Sequence, residues 1–183
     1  AKGAPGEDEE IKGADRAALN TEAARLFRQA IEDKPDFAHA KYNLAILLTE
    51  VYWRSPSEDV AREVRGLHQE EPLNANGRMN RAWTAFAFND SEEIGRQLSK
   101  AESRLGSDEG TAAELEMVIY RHAYDGRPEA KERADELLEL GVRSPFWEFG
   151  PVIDWVKKHA PERLDAVAAL AKVAREPHPP GNP

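Results

Sequence analysis

The chain has 183 residues, of which 25 are Lys or Arg and 34 are Asp or Glu, giving a formal net charge of -9. This negative charge argues against a nucleic-acid-binding protein, because contacts to phosphate favour Lys and Arg. The absence of cysteine excludes a disulfide framework, a cysteine-ligated zinc site and a thiol nucleophile. It is compatible with both the bacterial periplasm and the cytoplasm. The strongest apolar run, Leu44 to Leu48, is far shorter than the ~20 residues that a membrane-spanning helix needs, so no membrane insertion is predicted.

The two ends of the chain differ from its interior. Residues 1–14 are rich in Gly, Ala and acidic side chains and lack apolar periodicity, so a flexible acidic arm is predicted there. Residues 176–183 contain Pro177, Pro179, Pro180 and Pro183, and a Pro-rich tail that cannot be helical is predicted. Residues 15–175 are predicted to form a single helical repeat domain.

The interior has the period of α-helices rather than strands. Apolar residues recur three and four positions apart, and Pro, Gly and Asn-Asp sequences interrupt them at intervals of one normal helix length. The chain is therefore assigned to the all-α class. Nine helices are predicted, near residues 15–33, 38–53, 57–70, 75–88, 91–105, 109–124, 128–140, 146–158 and 161–175.

An apolar triple recurs along these helices. Ala23, Phe27 and Ala30 are followed by Pro35, and triples with the same spacing begin at Val60, Ile94, Ala130 and Ala166, about 36 residues apart. Each of the later triples lies in the second helix of a predicted pair.

The stretch from Glu22 to Leu48, EAARLFRQAIEDKPDFAHAKYNLAILL, resembles tetratricopeptide repeats. The small, aromatic, small and proline positions of that family are supplied by Ala23, Phe27, Ala30 and Pro35, and Leu44-Ala45 supply the Leu-small position of the next unit. The resemblance implies a right-handed superhelix, an α-solenoid of about four to five antiparallel helix pairs, in which the first helix of each pair lines the concave surface.

The resemblance also implies which residues line that surface. Tyr42, Asn43 and Ile46 come from the first clear unit, Met79, Trp83 and Phe86 from the next, and Val118 from the one after, with Glu114 and Arg121 beside it. Such an apolar and aromatic strip would suit a peptide or helix of another protein. The alternative is that adjacent helices or the N-terminal arm cover these side chains.

Asn43 also matches one position of the basic clamp by which one subfamily holds a C-terminal carboxylate. The next unit has Asn76 and Asn80 where that clamp requires Lys and Arg. A chaperone-tail receptor is therefore not predicted.

The last predicted helix pair concentrates aromatic residues. Phe146, Trp147 and Phe149 are followed by Trp155. These side chains either cap the end of the helix stack or form a second contact, with a partner or with another copy of the chain.

No catalytic, cofactor or metal site is predicted. His122 and Asp125 lie one turn apart, and His122 is interpreted as a partly exposed histidine at a helix end. Arg133 lies within helical reach of Glu129 and Glu136, which indicates a solvated ion-pair face.

The sequence thus predicts a non-catalytic protein-binding module or scaffold. The alternative is a structural or accessory subunit that is permanently assembled in a larger complex, such as one of the cell envelope. An enzyme built on a helical fold is the third hypothesis.

Overall fold

The structure is a computed structural model that describes residues 7–69, 75–103 and 110–177. All regular elements in these ranges are helical, and they contain no strand, which confirms the all-α class. The nine α-helices there match the nine predicted ones. Their bounds are α1 Glu7–Asp33, α2 Ala38–Arg54, α3 Glu58–Leu67, α4 Ala75–Ala87, α5 Ser91–Glu102, α6 Gly110–Asp125, α7 Pro128–Glu139, α8 Gly150–His159 and α9 Leu164–Ala174, with a 3-10 turn at Pro161–Arg163 before α9.

The chain divides into two compact units, Ala1–Glu70 (unit 1) and Glu71–Pro183 (unit 2). In unit 1, α2 packs against both α1 and α3. In unit 2, consecutive helices form the pairs α4–α5, α6–α7 and α8–α9. These contacts between consecutive helices are compatible with the predicted repeat, whereas the solenoid arrangement and the single domain over residues 15–175 stay predictions.

Local signals set several helix ends where the sequence predicts them. The Asp90 carboxylate accepts a hydrogen bond from the Glu93 backbone N–H at 3.0 Å and so caps the start of α5. Asn89 before it has a φ of 58°, a left-handed conformation that Asn tolerates better than most residues. The Asn89-Asp90-Ser91 sequence is thus the turn between two helices.

The first helix begins earlier than predicted. α1 starts at Glu7, so residues 7–14 of the predicted flexible acidic arm belong to a helix, while residues 1–6 lie outside the described residues. Lack of apolar periodicity does not prevent a helix, because Glu, Lys and Ala, which supply five of these eight residues, have high helix propensity.

The eighth helix begins later than predicted, at Gly150 instead of near residue 146. Pro151 occupies its first turn, where a missing N–H costs nothing. The residues before it form a turn held by the Ser144 backbone N–H, which donates to the Ala174 carbonyl at 2.8 Å. At the other end of the last helix pair, α9 ends at Ala174, and residues 178–183 of the predicted Pro-rich tail lie outside the described residues.

Within unit 2, α8 packs against α4 as well as against α9. The repeat scheme places a whole helix pair, α6–α7, between these two helices. In a solenoid each repeat contacts only its neighbours, so the packing of α8 on α4 departs from the predicted open superhelix. No helix in the described residues is both long enough and apolar enough to cross a bilayer.

Gly126 provides a test of the α6–α7 turn. Its φ is +73°, and a Cβ placed on it would lie 3.1 Å from the Arg163 side chain. That side chain donates to the Ala123 carbonyl at 3.0 Å, at the end of α6. We therefore expect Gly126→Ala to lower the free energy of unfolding by more than about 1 kcal/mol in urea titrations followed by circular dichroism.

Gly66 is the matched control, because it lies inside α3 and a Cβ there would meet no atom within 4 Å. Gly66→Ala should be neutral or stabilise by up to about 1 kcal/mol. Equal effects of the two substitutions would contradict this account of the turn.

Candidate functional site

The predicted binding strip is buried where it falls on unit 2. Met79, Trp83 and Phe86 on α4 and Val118 on α6 are all buried. Their burial agrees with the alternative that adjacent helices cover these side chains, because side chains without solvent access cannot line a groove for a partner. Glu114 and Arg121, predicted to lie beside Val118, are engaged in ion pairs with Arg133 and Glu102.

The reason is an aromatic core that joins α4, α6 and α8. The Phe86 ring lies edge-on to Tyr120 and to Trp155, with 5.5 Å between ring centroids in each case. Tyr120 in turn meets Phe149 edge-on at 6.0 Å. Edge-to-face contacts of this kind stabilise beyond the area they bury. They take the apolar face of α4 into the core of unit 2.

Trp83 is also fixed in this core by a polar contact. Its indole Nε1–H donates to the Glu148 carbonyl at 2.7 Å. Without this acceptor the indole N–H of Trp83 would be desolvated and unpaired, which costs free energy. The turn before α8 therefore holds Trp83 in place from a position 65 residues away in sequence.

The four aromatic residues predicted as a cap or second contact separate into two kinds. Phe149 and Trp155 are buried in the aromatic core, and Trp147 is half-buried. Phe146, in contrast, is 92% exposed. Among these four residues, Phe146 is therefore the one presented for contact.

The part of the predicted strip on α2 lies at the surface of unit 1. Tyr42 is 36% exposed, Asn43 is exposed and Ile46 is half-buried. Trp53 lies close to the same side of α2 two to three turns further on, and the Arg54 guanidinium sits 5.9 Å from its ring centroid. We call Tyr42, Asn43, Ile46 and Trp53 the α2 face.

Unit 2 contains a carboxylic acid next to the aromatic core. Glu116 accepts a hydrogen bond from the Tyr120 hydroxyl at 2.7 Å. Burial of the carboxyl group raises the pKa of Glu116 to about 7, and the hydrogen bond from Tyr120 only partly offsets this rise. Glu116 is therefore partly protonated near neutral pH.

His122, one turn before the end of α6, is buried rather than partly exposed as predicted. Among the described residues, neither ring nitrogen makes a hydrogen bond of standard geometry. Burial lowers the pKa of His122; the nearby Arg127 backbone opposes that shift, and the charges of Lys131 and Arg163 add to it. The imidazole is thus held neutral, and its pairing with Asp125 is excluded because that carboxylate bonds Arg121 and Arg127.

The buried arginine of α6 is paired across to α5. The Arg121 guanidinium donates to both carboxylate oxygens of Glu102, at 2.8 and 2.7 Å, and to the Ser99 hydroxyl at 3.0 Å. This bidentate pairing holds the pKa of Glu102 below its usual range. Arg127 joins the same cluster at 3.2 Å from Glu102. Every charge in it has a partner, so the cluster is a structural ion-pair network.

The ion-pair face predicted around Arg133 is present in part. Arg133 contacts Glu136 at 2.8 Å as expected, and its other partner is Glu114 on α6 at 2.7 Å instead of Glu129. The pair therefore links α6 to α7. Within the described residues, no three His, Asp or Glu side chains are grouped so that they could hold a metal ion.

No protein-family model, curated protein or solved structure matches this chain. The resemblance to tetratricopeptide repeats consequently stays a prediction.

Glu116 gives a pH-dependent test of the core. Its pKa is near 4.5 in the unfolded chain and about 7 in the folded one, so the folded state binds more protons between these values. Its contribution to stability is therefore present at low pH and is lost as the pH rises through 7. We expect Glu116→Gln, which is neutral and keeps an acceptor for Tyr120, to raise the free energy of unfolding by about 1–3 kcal/mol at about pH 8.

This gain should shrink towards zero at about pH 4, where the wild-type carboxyl group is protonated in both states. Glu129→Gln, which removes an exposed carboxylate on α7, is the control and should change little at either pH. An advantage of Glu116→Gln that does not depend on pH would contradict the burial of its charge.

Protonation of His122 should change the free energy of unfolding in the direction opposite to protonation of Glu116. Because its pKa is lowered in the folded state, the unfolded chain binds more protons once the pH falls below about 6.5, and stability falls with it. We expect His122→Gln to flatten the loss of unfolding free energy between about pH 7 and pH 5 in urea titrations. The exposed His39 provides the control, and an equal flattening in His39→Gln would show that His122 is not the cause.

Proposed function

We propose that this chain is a non-catalytic protein-binding module and that a peptide or helix of another protein binds to the α2 face. The observation that carries this proposal is the difference in exposure between the two parts of the predicted strip. Its residues on α4 and α6 are buried, and those on α2 remain at the surface of unit 1.

The chemistry of the α2 face suits a partner with both apolar and polar groups. Tyr42 and Trp53 offer large, rigid surfaces that lose little entropy on binding. Asn43 offers an amide donor and acceptor beside them. At the C-terminal end of the face, the Arg54–Glu50 ion pair at 2.8 Å provides charged groups at the rim. An aromatic centre with a polar rim is the usual composition of a protein interface.

We propose right-handed, tetratricopeptide-like stacking only for the first three helices, α1, α2 and α3. The residues that carry the resemblance lie in this part of the chain. α2 packs between α1 and α3 there, in agreement with nearest-neighbour stacking.

A second function, that of a subunit permanently assembled in a larger complex, is supported by a different feature. Phe146 is 92% exposed in a turn whose start is tied to Ala174 by the Ser144 hydrogen bond. Because the backbone of this turn is already tied to α9, a partner that takes up Phe146 would mainly have to order its side chain.

Affinity capture from native lysate distinguishes the two surfaces. We expect the double variant Tyr42→Ala with Ile46→Ala to lose the captured partner, because it removes the apolar centre of the α2 face. Val51→Ala should retain it, since Val51 is 38% exposed, close to the 36% of Tyr42, but lies on another side of α2.

Circular dichroism of each variant checks that unit 1 remains folded. Loss of the partner with Phe146→Ser, but not with the double variant, would assign binding to the turn before α8 and support the subunit hypothesis. Equal capture by all variants would contradict both assignments.

A further inference from the structure

The described helices of unit 1 leave an apolar stripe on α1 largely uncovered. Leu19 is 70% exposed and Leu26 is 50% exposed, and the half-buried Ala23 and Ala30 lie on the same side of the helix. The four positions are spaced four, three and four residues apart, which places them along one line on the helix surface. We call these four residues the α1 stripe.

The stripe faces away from α3. Arg28 lies two residues beyond Leu26, about 200° further around the helix. The Arg28 guanidinium bonds both carboxylate oxygens of Glu63 on α3, at 2.7 and 2.9 Å. Arg28 thus marks the side of α1 that approaches α3, and the α1 stripe lies on nearly the opposite side.

The order of residues in the stripe is self-complementary. Its spacing of four, three and four is the same when it is read in reverse. When two copies of α1 lie antiparallel with their two-fold axis between residues 24 and 25, Leu19 faces Ala30 of the second copy and Leu26 faces its Ala23. Each large side chain then meets a small one, which is how closely packed helices fill space.

The polar residues beside the stripe match in the same arrangement. Arg25 bonds Glu22 at 2.7 Å and Gln29 at 3.3 Å along one flank of α1. Around the proposed axis, Glu22 of one copy lies near Gln29 of the other, and the Arg25 residues of the two copies lie near the axis itself. Each Glu22 therefore lies near donors of the second copy, and the two Arg25 guanidinium groups, which carry like charges beside the axis, each remain paired with Glu22 of their own copy.

We propose that the α1 stripe is the contact surface for a second copy of this chain, paired antiparallel through α1 about a two-fold axis. Such an interface is isologous, since both copies contribute the same residues. It is short, about three helical turns, so we expect a weak, reversible association that is detectable at micromolar concentrations.

Sedimentation of the full chain from about 5 to about 300 μM, a range that brackets micromolar affinity, tests this proposal. We expect a concentration-dependent dimer in the wild type. Replacing Leu19 and Leu26 by Glu places four carboxylates in the interface and should weaken association by at least about tenfold. Leu140→Glu is the matched control, because Leu140 of unit 2 is 71% exposed, nearly the same as Leu19, and this variant should still dimerise.

A wild type that stays monomeric over the whole concentration range overturns the proposal. The α1 stripe would then be a contact surface for a helix of another protein. A dimer that persists in the Leu19→Glu, Leu26→Glu variant overturns it as well, since association would then use another surface. Circular dichroism confirms that each variant remains helical.

The register can be tested by cross-linking, because the chain contains no native cysteine. In the proposed pairing, a mixture of the Leu19→Cys and Ala30→Cys proteins forms an intermolecular disulfide on mild oxidation. Neither protein alone does so, because identical positions lie about 16 Å apart along the helix, beyond the roughly 7 Å that a disulfide spans. Cross-linking of Leu19→Cys with itself would indicate parallel helices and overturn the proposed pairing.

Discussion

The packing of α8 on α4 determines which side chains of α4 are buried in the core of unit 2. Through this contact the Phe86 ring meets Trp155 and Tyr120, and Trp83 finds its acceptor at Glu148. The face of α4 that would otherwise be open to a partner becomes core. α6 is enclosed at the same time, so that its residues from Met117 to Ala123 are buried without interruption. Polar side chains on this stretch must therefore be paired or neutral.

Arg121 and His122 on this stretch and Glu116 directly before it avoid an unpaired charge in different ways, and the effects of Glu116 and His122 on stability oppose each other. Arg121 remains charged and is paired with Glu102, whereas Glu116 and His122 have pKa values shifted towards their neutral forms. As the pH falls from neutrality, protonation of Glu116 favours the folded state and protonation of His122 disfavours it. The two groups thus partly offset each other's effect on the pH dependence of stability. This balance follows from burying an acid and a base on one enclosed helix.

Local structure was predictable from the sequence because its signals are local. The cap at Asp90, the left-handed glycine at Gly126 and the proline at the start of α7 are each read within a few residues, and the helices end there as predicted. The burial of the predicted binding strip on α4 and α6 was not predictable from such local signals. The burial of Trp83 depends on Glu148, 65 residues later, and a repeat register that assumes nearest-neighbour stacking does not contain that contact. His122 is buried on another side of α6, where Lys131 of α7 and Arg163 approach it. Arg163 lies 41 residues later in the sequence, so this burial was not predictable from local signals either.

The two proposed surfaces are both made of apolar side chains that unit 1 leaves exposed. Unit 1 has three helices, and a unit of that size has too little interior to cover all of its large side chains. It leaves Leu19 and Leu26 exposed on α1, and Tyr42 on α2. A dimer formed through the α1 stripe carries two α2 faces related by a two-fold axis. Consider a partner that carries two copies of the recognised segment. Once the first copy has bound one α2 face, the second copy is held near the other face at a high effective concentration. The dimer then binds this partner much more tightly than a single α2 face does. Self-association through α1 would in this way raise the apparent affinity of the α2 face without adding a contact to it.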